Sequence, residues 1–149
     1  MEKQPVKIFL AAAAAVAFFS GTAILDLRAR AKSAWLKAER YGQWQNRPEL
    51  KKNHFDKIYE KKSAALKKPG ISAENLEKEL AGLETEKNFL VKESSAKYAY
   101  LWYKTAATFF CRPQNEWCTR AREKLAPAKE RWKADMRSKN IKFEEWMID

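Results

Sequence analysis

The sequence predicts an all-α protein: a single N-terminal transmembrane helix that continues into a basic helical stalk, then a small helical hairpin or bundle domain. Three observations carry this. Residues 8–25 run without a charge between Lys7 and Asp26. Beyond them, apolar residues recur at three- and four-residue steps, the period of a helix face. Only four Gly and five Pro occur in 149 residues, too few for the turns a many-stranded β protein needs. The organisation that follows is a tail and anchor at 1–27, basic membrane-proximal helices at 28–70, and a hairpin domain at 71–149 with an aromatic core and an apolar C-terminal tail.

The first element, IFLAAAAAVAFFSGTAIL, would be about 27 Å long as a helix, close to the ~30 Å hydrocarbon thickness. Alanine is only weakly apolar, so Phe9, Leu10, Phe18, Phe19, Ile24 and Leu25 carry the span. A cleaved export signal is the competing reading, given Lys3 and Lys7 before the run and the small residues Ser20, Gly21, Thr22 and Ala23 at its end. A buried core helix is the third, and the rest of the chain is too charged to wrap it. A retained single-pass anchor fits best.

Past Asp26 the helical pattern persists through Leu27, Ala31, Ala34, Trp35 and Ala38, with no breaker before Gly42 and Pro48. The anchor helix therefore runs on as a stalk to about residues 41–46. A second helix spans 49–66, with Leu50, Phe55, Ile58 and Tyr59 on one face, and Pro69-Gly70 stops it. Ser72 is the next N-cap, with Glu74 in the first turn. From there Leu76, Leu80, Leu83, Leu90, Tyr98 and Leu101 form one apolar stripe, which predicts a single helix of about forty residues up to Pro113. A fourth helix opens after Arg112-Pro113, with Pro127 expected to kink or split it. The ending FEEWMID is too apolar for a solvated terminus and is expected to dock on this chain or a partner.

Charge is uneven. The chain carries 30 Lys+Arg against 19 Asp+Glu; residues 28–68 hold thirteen basic and four acidic groups, residues 69–149 fifteen and thirteen. Arg28, Arg30, Lys32, Lys37 and Arg40 are the candidate contacts to anionic lipid or an acidic partner, with Trp35, Tyr41 and Trp44 among them as interfacial aromatics. The pattern lacks any nucleic-acid motif and disfavours that partner. A solvated stalk is the plain alternative.

Cys111 and Cys118 are the two cysteines, framing CRPQNEWC. On one unbroken helix they would lie roughly 10 Å apart, beyond the ~7 Å Cα separation a disulfide tolerates. A turn at Pro113 would bring them together, making a disulfide staple in an oxidising compartment the leading reading over two buried thiols. The spacing is not C-x-x-C, which leaves a redox-active pair last.

The densest aromatic stretch is Tyr98, Tyr100, Trp102, Tyr103, Phe109 and Phe110. Trp102, Phe110, Trp117 and Trp146 are the candidate partner-interface residues, since large aromatics anchor interfaces. The Ala99, Tyr103 and Ala106 spacing resembles the second helix of a tetratricopeptide repeat over about fifteen residues. The helix before it lacks the expected Trp, Gly and Tyr positions, so the resemblance implies only a helix-turn-helix packing surface.

No catalytic, cofactor-binding or metal-ligating set is predicted. His54 is the lone histidine, the paired glutamates diverge on their helices, and scattered glycines make no phosphate loop. The functional expectation is a non-catalytic accessory or assembly subunit that stabilises or tethers a larger membrane protein complex, with other subunits and membrane lipids as partners. The alternatives are an envelope-spanning helical scaffold, like a phage inner-membrane spanin in architecture alone, and a basic module that binds lipid or nucleic acid. On sidedness, the basic residues after the span favour the cytoplasm or matrix. The export-like N-terminus and the cysteine pair favour the periplasm or intermembrane space, narrowly the preferred side.

Overall fold

The computed structural model describes residues 4–67 and 71–148. Within them lie five α-helices, α1 (Gln4–Asn46), α2 (Pro48–Leu66), α3 (Ala73–Lys92), α4 (Ser95–Thr108) and α5 (Glu116–Ser138), then a 3₁₀ turn at Glu145–Met147. No strand occurs among the described residues. The expected Pro69-Gly70 stop and Lys3 fall outside them.

α1 is one unbroken helix of 43 residues with two different environments. Its apolar part is long enough to cross a membrane, and none of that window is buried in the chain. Its outer part is not a solvated stalk: Ala31, Ala34, Ala38 and Trp44 are buried. Ala31, Ala34 and Ala38 recur at three- and four-residue steps; Ala34 and Ala38 pack with the small residues Ala99, Ala106 and Ala107 of α4, while Trp44 packs on His54 and Phe55 of α2. Alanine against alanine brings two backbones close, so the contact gains dispersion over a long seam. α4 lies between α1 and α5, and these three helices form the body.

The expected forty-residue helix is two helices. α3 ends at Glu93, whose backbone is extended (φ −57°, ψ 146°), and α4 begins after Ser94. The Ser94 hydroxyl caps α4 by accepting from the Lys97 amide at 3.1 Å and donates to Asp135 of α5 at 2.6 Å. Lys51 of α2, itself buried, donates its ammonium to the Glu93 carbonyl freed by the break. Burial pulls the Lys51 pKa below its ordinary value. The apolar stripe continues across the break because α3 and α4 each need a covered face, and they cover them differently. α3 pairs with α2, while α4 enters the body. The boundary expected near residue 71 between basic helices and hairpin domain therefore separates α2 from α3, which pack together.

α5 starts at Glu116, not at Pro113. Asn115 supplies its N-cap, accepting from the Cys118 amide at 3.1 Å while its amide nitrogen donates to the Phe110 carbonyl at 3.0 Å. Pro127 stays inside α5 without splitting it. The C-terminal tail folds back on the body. Tyr100 Oη donates to the buried Ile148 carbonyl at 2.9 Å, Phe143 packs on the core, and Lys133 reaches Glu145 at 2.8 Å.

Candidate membrane-proximal interface

The directions of the helices bring one end of the body to the apolar segment. Tyr98 at the start of α4 stacks on Tyr41 at 5.1 Å, and further along Lys37 stands 4.2 Å over the Trp102 ring. α4 thus descends antiparallel to α1. α5 returns in the opposite sense, from Glu116 beside Arg28 to Asp135 beside Ser94. The α4–α5 turn is consequently the part of the body nearest Leu25.

Most of the basic candidates at this level have partners within the chain. Arg28 pairs with Glu116 at 2.8 Å, holding that carboxyl below the usual carboxylate range. Arg30 pairs with Asp26 one turn back at 2.7 Å. Lys32 stands 5.3 Å from the Trp117 ring and Lys37 covers Trp102. Arg40 is exposed on α1; burial, and after it the Arg40 charge, depresses the His54 pKa. Arg28, Arg30, Lys32 and Lys37 are all exposed residues despite these contacts.

The four aromatic candidates divide. Trp102, Phe110 and Trp117 are half-buried on this chain. Trp102 and Phe110 pack against the core, and Trp117 lies 5.3 Å from Trp35 with the Arg120 guanidinium 4.9 Å from its ring. Trp146 is 73% exposed. Sequence reasoning placed Phe109 in the aromatic cluster but not among the interface candidates, although it is 74% exposed. Phe89, 60% exposed on α3, was also missed. Nothing in the pattern distinguishes Phe109 from Phe110: the turn aims one outward and the other into the core.

The structure joins Cys111 to Cys118, with Cα atoms 5.5 Å apart. Both are buried, Cys118 completely. The bridge closes the α4–α5 turn and fixes where residues 109–115 project.

The remaining polar clusters hydrogen-bond between elements of the fold. Ser94, Asp135, Lys139 and Lys51 line or adjoin the α3–α4 junction. The Ser94 hydroxyl already donates to Asp135 and accepts from Lys97, and Lys139 pairs with Asp135 at 2.9 Å. That arrangement is a clamp on the junction, since both its hydroxyl and its carboxylate are occupied. Tyr103 donates to Glu39, and burial with this hydrogen bond raises its pKa. No group of three or more metal-ligating side chains converges among the described residues. Comparison with family models, with curated proteins and with solved structures finds no match in any of the three.

Proposed function

We propose that this chain is a single-pass membrane protein whose helical body serves as a non-catalytic accessory or assembly subunit of a larger membrane protein complex. The observation that carries the anchor is the wholly unburied apolar window of α1, joined without a break to a segment packed in the body. An eighteen-residue apolar surface left bare in water is costly, and a bilayer removes that cost. The stripe Ala11 to Ala15 is small enough for a neighbouring transmembrane helix to approach closely. Exposed Phe89 and Trp146 offer anchors for a protein partner outside the bilayer. The disulfide supports placing the body on an oxidising, extracytoplasmic side.

The folded-back α4–α5 pair supports a compact body over a rod that spans an envelope. The engagement of Arg28 with Glu116, and of Lys32 and Lys37 with indole rings, supports a structured surface over a free basic nucleic-acid arm. The test is extraction and co-purification from native membranes. The proposal expects the chain to resist alkaline carbonate and to emerge in mild detergent with stoichiometric partners. Release by carbonate sinks the anchor, and a lone monomer sinks the subunit role.

A further inference from the structure

The α4–α5 turn returns toward the apolar segment and carries Phe109, an apolar side chain that the described residues leave 74% exposed. Glu116, directly after the turn, is held by Arg28, which lies three residues past Leu25. At 1.5 Å per residue that is about 4.5 Å along the axis of α1. The antiparallel pairings Tyr98–Tyr41 and Trp102–Lys37, continued along α4, bring Phe109 level with about residue 30, roughly 7.5 Å beyond Leu25 along α1.

The turn is built to keep Phe109 outside. Phe110 packs on the core, Cys111 and Cys118 are buried and bridged, and Asn115 ties back to the Phe110 carbonyl. With its neighbours fixed inward, Phe109 points out, and no large apolar residue among those described is more exposed. Exposed cations stand at this end of the body: Arg112 within the turn, and Lys32 on the side of α1 that faces α5 at Trp117. An apolar tip with basic residues behind it, placed beside a candidate span, matches the layering of a bilayer, where acyl chains lie beneath phosphates.

We infer that the α4–α5 turn is a second membrane contact, in which Phe109 enters the headgroup–acyl boundary while Arg112 and Lys32 meet lipid phosphates. This rests on the anchor reading of α1. The anchor holds the turn at the surface, so a contact too weak to bind free protein is populated through high effective concentration. Its work is orientation: two points of attachment fix how the body faces the membrane, where a single helix leaves it free to rotate.

The experiment is photo-crosslinking with the full chain in vesicles of neutral and anionic phospholipid, with p-benzoylphenylalanine at one position at a time. Phe109→p-benzoylphenylalanine reads the turn and leaves both cysteines in place. Leu10→p-benzoylphenylalanine reads the anchor, and Tyr59→p-benzoylphenylalanine on α2 is the aqueous reference. Phospholipid adducts identified by mass spectrometry are expected at 10 and at 109, each at least fivefold above 59. Adducts at 10 with position 109 no higher than 59 overturn the membrane contact and leave the anchor standing. A chain-to-chain adduct at 109 in place of lipid also overturns it, in favour of a second copy on this surface. Loss of adducts at both 10 and 109 removes the anchor reading and the inference with it. Should the 109 variant fail to fold, Arg112→p-benzoylphenylalanine reads the same turn with the same outcomes.

Discussion

Tyr100 and Ile148 are 48 residues apart and joined by one hydrogen bond, the phenol of α4 donating to the tail carbonyl at 2.9 Å in a buried setting. Tyr100 also lies 5.5 Å from the Trp132 ring, so the tail closes over an aromatic pair. Tyr100→Phe keeps the ring and strands the carbonyl. The expected loss is about 1–3 kcal/mol of unfolding free energy. Denaturant titration measures it, and hydrogen exchange at 145–148 should accelerate in the same variant.

The Cys111–Cys118 bridge closes a short loop. The chain-entropy relation gives about 2.5 kcal/mol for a loop of this size. Replacing both cysteines by alanine should therefore lower stability by about 2–3 kcal/mol. A melting experiment on the oxidised chain and the double variant decides it. Equal melting temperatures would mean that the turn is held by Asn115 and Phe110 alone.

Packing of α1 against α4 depends on small side chains. Ala38 and Ala106 have no exposed surface. Enlarging either to Leu overfills the seam, at an expected 1–3 kcal/mol in order of magnitude. Ala13→Leu, in the unburied apolar run, should leave the stability of the body unchanged. A calorimetric comparison of the three variants in detergent checks both statements.

Stability should depend on pH through His54. Burial against Trp44 at 5.0 Å, together with the nearby charge of Arg40, lowers its pKa in the folded chain below 6.5. The unfolded chain therefore binds the proton more readily in the window below 6.5. The stability this neutral histidine contributes is complete above that value and is lost as pH falls toward the folded pKa. His54→Gln should flatten this part of the profile, as followed by thermal melting between pH 7.5 and 5.

Lys51 is the only polar link from α2 to the Glu93 carbonyl given by the described residues. Lys51→Met keeps the aliphatic stem and removes the donor. The expected loss is about 1–3 kcal/mol, concentrated at the α3–α4 junction. Amide exchange at 93–97 should rise several-fold while exchange in α5 changes little.

Much of this architecture was legible in the sequence. The helical continuation past the uncharged run, the breaker at Pro48 and the Ser72 cap of α3 are local signals: α1 is unbroken to Asn46, α2 opens at Pro48, one residue before the expected Glu49, and Ser72 caps α3. The break at Glu93 was not legible. Leu90, Tyr98 and Leu101 keep helical phase across it, and the groups that stabilise it, Lys51 and Asp135, lie about forty residues away on either side. The burial of Ala31, Ala34 and Ala38 was missed for a related reason. Alanine among arginines and lysines reads as surface until a second small-residue face appears opposite, and nothing local announces that face. Among the interface candidates, Trp102 and Trp117 were judged by residue type. Their cover by Lys37, Trp35 and Arg120 depends on how α4 and α5 fold back.

Because α1 has no hinge between Leu25 and Trp44, it acts as a stiff lever. A 10° tilt of the apolar part, were it held in a bilayer, would swing Trp44 sideways by about 5 Å, taking ~1.5 Å of rise per residue. Any such tilt, set by packing and interfacial anchors, would thereby be passed on undamped to the outer helices.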